Sequence, residues 1–124
     1  MYQYVGKINH VDGYARNELF TILFPTTIRE GNKASVVMQW TRTYVGEEKS
    51  NDARLGTITR VVNAPDGTRT VELFRGEFYY WYECAINENE DEMTIRMLNQ
   101  RDEFCSSGTA KLHIKEQERV ILSY

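Results

Sequence analysis

The sequence predicts an all-β protein, an antiparallel up-and-down β-barrel of about eight strands. Three observations carry that expectation. The first is composition: 9 Val, 8 Ile, 11 Thr, 8 Tyr, 5 Phe and 2 Trp stand against 6 Ala and 7 Leu. Branched and aromatic side chains fit a pleated surface and lose χ1 freedom in a helix. The second is alternation of apolar and polar residues with period two, the mark of a half-buried strand. The third is spacing. Turn signals recur every 10–15 residues, too close for the long crossovers that parallel strands need. No segment carries an amphipathic helix of three turns.

The elements follow in order. Tyr2 to His10 reads as a first strand, closed by the Asp-Gly turn of Val11-Asp12-Gly13-Tyr14. Glu18 to Thr26 is a second, with Phe20, Ile22 and Phe24 on one face, and Pro25 marks its end or an edge. Glu30-Gly31-Asn32-Lys33 turns the chain. Ser35 to Val45 is the clearest alternator: Val36, Met38, Trp40, Arg42 and Tyr44 share one face. Gly46 to Asp52 contains no apolar residue and reads as an exposed loop. Arg54 to Asn63 is a fourth strand in which neither Leu55-Thr57-Thr59-Val61 nor Gly56-Ile58-Arg60-Val62 is cleanly apolar. Ala64-Pro65-Asp66-Gly67 is a hairpin loop, since Pro fixes φ and Gly accepts a positive one. Thr68 to Arg75 and Glu77 to Ile86 are the fifth and sixth strands, broken at Gly76. Asn87 to Glu92 is an acidic turn, and Met93 to Asn99 a seventh strand. Arg101 to Gly108 reads as a loop ending in the turn Ser106-Ser107-Gly108, and Thr109 to Lys115 as an eighth strand. Glu116 to Tyr124 shows no clear period.

Two architectures fit about eight hairpin-linked strands, a closed barrel and a two-sheet sandwich. The barrel is preferred because nearly every connection is short and closure removes aggregation-prone edges. An eight-stranded barrel has an interior filled by side chains or wide enough for one small ligand. The 124 residues make one domain, 1–124.

Charge and motifs exclude several classes. Fifteen bases against 18 acids, net −3, leave no basic footprint for nucleic acid. No apolar run reaches the roughly 20 residues that span a bilayer as a helix, and no membrane partner is expected. The start lacks a charged region followed by an apolar stretch, which points to the cytoplasm, or to secretion if a signal peptide has been removed. Cys84 and Cys105 are too few for a disulfide framework and too far apart for a metal knuckle. They read as free thiols, with a single cross-strand disulfide as the rival. A phosphate-cradling glycine loop, a zinc motif and a nucleophile elbow are all missing, so no cofactor and no metal are expected.

Candidate site residues come from the strand faces. Phe20, Ile22, Phe24, Met38, Trp40, Tyr80, Tyr82 and Met97 would line a cavity, with Tyr hydroxyls, that of Tyr44 included, and Arg42 orienting the ligand. Arg42 interrupts an apolar stripe. A buried cation needs an acidic partner or an anionic ligand, although a rim arginine can reach water. The sixth strand is aromatic on both faces. Tyr80 and Tyr82 fall on one, Tyr79 and Trp81 on the other, where they would meet a partner subunit or be covered by the chain itself. Glu83 and His10 are the acid–base candidates. His113 lies on the face with Lys111 and Lys115 and reads as solvent-facing.

The strand pattern broadly resembles the small calycin-type, lipocalin-like barrels that carry lipophilic molecules. That resemblance implies a hydrophobic cavity and a small-molecule ligand. Three functions follow as expectations: binding of a small hydrophobic or aromatic ligand, including an acidic one; cofactor-free isomerase, cyclase or lyase chemistry on a hydrophobic metabolite; or a homodimer built on the Tyr79/Trp81 face.

Overall fold

The computed structural model describes residues 1–10, 18–42, 48–74, 81–98 and 104–115; for 10, 18, 40–42, 48–52, 104 and 105 it describes the backbone alone. Eight strands form one closed barrel: β1 (Tyr2–His10), β2 (Glu18–Phe24), β3 (Lys33–Arg42), β4 (Glu48–Asn63), β5 (Arg69–Phe74), β6 (Trp81–Ile86), β7 (Glu92–Leu98) and β8 (Phe104–Lys115). Each strand pairs antiparallel with the next in sequence, and β8 returns to β1 to shut the wall. The expected barrel is therefore the observed one, and the sandwich is not.

Two sequence expectations are corrected. Glu48–Asp52, expected within an exposed loop, is the first part of β4 and runs in register with β3 from Met38↔Asp52 to Arg42↔Glu48. Backbone pairing holds this polar stretch, so side-chain polarity misidentifies it. Phe104–Gly108, expected within a loop and turn, belongs to β8, with Ser106↔Met97 and Gly108↔Ile8 in register. Small residues serve there because the closing seam is tight. A Cβ added to Gly108 would lie 1.9 Å from the Lys7 carbonyl oxygen, and one added to Gly6 would lie 2.0 Å from that of Thr109. Glycine allows backbones to approach closely where a barrel closes. The turn at 11–14 and the break at Gly76 lie outside the described residues.

The mixed faces of β4 have a cause. The β4–β5 register shifts between Ile58 and Arg60, leaving Thr59 as the extra residue of a β-bulge. Before the bulge even-numbered residues face inward, and Gly56 and Ile58 are buried. After it Val61 packs on the core while Arg60 and Val62 turn out, so one apolar stripe changes parity midway. A second shift lies between Gln3 and Tyr4, opposite exposed His113.

The inward faces make one core that includes Tyr4, Ile8, Phe20, Ile22, Phe24, Val36, Met38, Ile58, Val71, Leu73, Tyr82, Cys84, Ile86, Met93, Ile95 and Met97. Strand direction defines two ends. His10, Arg42, Phe74 and Leu98 lie at the upper end; Tyr2, Phe24, Asn63, Ile86 and Lys115 lie at the lower. Several contacts gather at the lower end. Ile28 packs on the core, and Gly31 and Asn32 exchange backbone hydrogen bonds with Ile58. The Tyr4 hydroxyl donates to the Glu90 carbonyl at 2.8 Å, and the amino terminus donates to Thr26 Oγ1 at 2.9 Å. No helix among the described residues is long and apolar enough to cross a membrane.

Candidate functional site

The lower half of the inner wall carries Phe24, Ile22, Val71, Ile86 and Met93, all buried, with the Tyr4 and Phe24 rings edge to face at 6.1 Å. A recess at that end, among Tyr2, Tyr4, Ile28, Arg69, Ile86 and Glu90, measures about 100 Å³. Pockets for drug-sized ligands run to roughly 300 Å³ or more, so this one suits a few waters.

The layer nearer the upper end is built differently. Tyr82, Met97 and Ser106 stand in register across β6, β7 and β8, and Phe20 and Met38 stand in register across β2 and β3. All five are buried, and Ser106 is a fully buried hydroxyl. Strands β3 and β6 are not neighbours, yet Tyr82 Oη reaches Met38 Sδ at 3.1 Å. The phenol thus crosses the barrel and donates to a thioether, a weaker acceptor than oxygen. Methionine chains adapt to irregular spaces.

A cation shares this inner face. Arg54 precedes Gly56 and Ile58 by two and four residues on the inward parity of β4, and its register partner Val36 is 3% exposed. Its Nε is shielded from solvent. Sequence reasoning singled out Arg42 as the inward arginine and passed over Arg54. The parity of Gly56 and Ile58, carried back one step, was the available signal. The bulge at Thr59 obscured it.

The other expected site residues divide into three groups. Phe20, Ile22, Phe24, Met38, Tyr82 and Met97 line the interior. Trp40 and Arg42 continue β3 toward the upper end, opposite Ser50 and Glu48, and their side chains lie outside the described residues, as does that of His10. Tyr44, Tyr79 and Tyr80 also lie outside them. Trp81 and Glu83 are on the outer face of β6. The Trp81 ring tilts against Phe74 with centroids 4.5 Å apart, so a neighbouring strand covers part of it. Glu83 pairs with Arg96 at 3.6 Å, with both side chains more than a third exposed.

Cys84 is a free thiol with no solvent exposure. Burial pushes its pKa well above the ordinary range, and the Glu83 charge adds to the shift. It is a core group and a poor nucleophile. Among the described residues no cluster of His, Cys, Asp and Glu could hold a metal ion. Compared with protein-family models, curated proteins and solved structures, the chain finds no match, so the functional reading rests on its own residues.

Proposed function

We propose that the protein is a non-catalytic binding barrel of lipocalin-like character. It takes a small hydrophobic or aromatic molecule into the upper part of its interior. The observation that carries this reading is that the closed barrel places polar groups on an otherwise apolar inner wall. Near the upper end two methionines share that wall with a phenol, a buried hydroxyl and an arginine on the inward parity of β4. A few polar groups within an apolar wall are what orient a bound molecule. In this proposal Trp40, Arg42, Tyr44 and Tyr80 extend the wall formed by Phe20, Met38, Tyr82 and Met97. Glu83 lies outside the wall, which favours binding over acid–base chemistry on an interior molecule.

Tryptophan fluorescence tests the reading, because the chain has two tryptophans. In a Trp81→Phe variant the remaining signal comes from Trp40. Titration with 1-aminoanthracene and with decanoic acid is expected to quench or shift it saturably at one equivalent. Linear, unsaturable change across the same range contradicts the proposal.

A further inference from the structure

We infer that a trough on the outside of the barrel, across the lower parts of β6, β7 and β8, is the seat of the chain's own residues 116–124, with the apolar run Val120, Ile121 and Leu122 lying in it. This goes beyond the binding-barrel reading and does not depend on it.

The trough is a hollow of about 220 Å³. Its floor lies over buried Met93 and Ala110, between Ala85, Thr94 and Thr109, which stand in register on the outer face. The row above holds Glu83 and Arg96, and the row below holds Glu92 opposite Lys111, so longer side chains wall it on both sides. An apolar cavity of roughly 150 Å³ takes up benzene, so this space admits aliphatic side chains. Its two charged lining residues, Glu92 and Lys111, are direct cross-strand partners of opposite sign and offset each other. The hollow therefore suits an uncharged apolar occupant.

The chain leaves the barrel beside it. β8 ends at Lys115, whose ammonium donates to the Glu90 carboxylate at 3.0 Å in the turn between β6 and β7. Leu112 N donates to the Asp91 carbonyl of the same turn at 2.8 Å. β8 is paired on both sides, with β1 and with β7, and the wall is closed, so it offers no edge for a further strand. A segment that follows Lys115 can cover the lower end or lie on the outer surface. Residues 116–124 are outside the described residues, and there Val120, Ile121 and Leu122 come after four polar residues. Removing three adjacent aliphatic groups from water draws them to an apolar hollow. Reach permits it. From Lys115 back to the level of Lys111 is about 13 Å at roughly 3.3 Å per residue. Val120 is the fifth residue after Lys115 and Leu122 the seventh, enough for one reversal and that return. The lower-end recess is also within reach, but Asn63, Arg69, Asn87 and Glu88 line it and suit aliphatic groups poorly.

Disulfide trapping in the full chain tests this. In a Cys105→Ser background, with Cys84 buried, Thr94→Cys and Ser123→Cys put one thiol in the trough and one beside the apolar run. Mild oxidation is expected to link them within one molecule at least about fivefold faster than the control pair Ser35→Cys and Ser123→Cys, whose first member lies on β3. Leu122→Asp, and separately Thr109→Arg, which fills the trough, are each expected to slow the link by about fivefold or more. Non-reducing gels and peptide mass spectrometry read the link and its position, and circular dichroism reports on folding. If Thr109→Arg does not fold, Leu122→Asp decides. Equal rates for the two pairs, or a rate unchanged by Leu122→Asp, overturn the proposal. Links formed only between molecules overturn it as well and give the trough to a second copy.

Discussion

Tyr82 on β6 donates a hydrogen bond to the sulfur of Met38 on β3, 3.1 Å away across the barrel interior. The two strands share no edge, so this contact spans the space that a ligand would have to enter. It joins a strong donor to a weak acceptor in a site without exposure. Such a contact fills the interior without locking it, since a thioether loses little when its donor leaves.

Tyr82→Phe is accordingly expected to cost under about 1 kcal/mol, because the sulfur left behind carries a small desolvation penalty. Tyr82→Ala removes a buried ring and is expected to cost about 3–5 kcal/mol. Urea unfolding followed by circular dichroism measures both. A Phe variant as damaged as the Ala variant would show that the hydroxyl, and not the ring, holds this layer.

The barrel wall makes opposite forecasts for two glycines. At Gly108 an added Cβ would fall 1.9 Å from the Lys7 carbonyl oxygen, whereas at Gly56 its nearest neighbour is 3.5 Å away. Gly108→Val should prevent β8 from closing on β1 and abolish cooperative unfolding. Gly56→Ala should be neutral, or stabilising by up to about 1 kcal/mol through a less flexible unfolded chain. Thermal melts of the two variants settle the contrast. Equal losses would place the tight approach elsewhere.

Burial of Cys84 predicts a falling alkaline limb of stability. Its folded pKa is raised by burial and then by the Glu83 charge. The unfolded thiol titrates near 8.5, so above that pH the unfolded chain binds fewer protons than the folded one. Stability is then fully present below about pH 8.5 and declines as pH rises toward the folded value. The buried Tyr4 phenol, also raised by burial and next by Glu90, adds to the decline above about pH 10. Cys84→Ala should flatten the first part of the slope. Iodoacetamide at pH 8, read at the Cys84 peptide by mass spectrometry, should label it only as fast as the barrel opens. Immediate labelling in native buffer would contradict the burial.

On the outer face Glu72 and Glu83 stand directly opposite each other on β5 and β6. Like charges in such a pair repel. Each has a neighbour that offsets this: the Thr59 hydroxyl reaches the Glu72 carboxylate at 2.9 Å, and Arg96 reaches Glu83 at 3.6 Å. Arg96→Ala should therefore cost up to about 1 kcal/mol, and adding Glu83→Gln should recover most of that. A double-mutant cycle with no coupling would mean the exposed pair contributes nothing.

How far the sequence was legible depended on how regular each strand is. The bounds of β1 match the Tyr2–His10 reading, and the inward set of Phe20, Ile22 and Phe24 follows directly from alternation. Failures occurred where something other than side-chain polarity decides the backbone. Glu48–Asp52 is strand because β3 presents a pairing edge to it, and Ser106–Gly108 is strand because the seam needs small residues. The bulge at Thr59 swaps the faces of β4, which hid the inward position of Arg54. The fold was thus readable from period and spacing. Phe20, Met38, Tyr82 and Met97 were readable as interior residues, while the inward parity of Arg54 was masked by the change of faces after Ile58.

Native mass spectrometry of the protein, freshly purified and again after incubation with decanoic acid, tests the central claim that the upper interior is a ligand site. A one-to-one complex that survives gentle ionisation, and that Met38→Trp abolishes by filling the space while the barrel stays folded, is the predicted result. A bare polypeptide mass in both samples would contradict it, and the interior would then be a packed core from end to end.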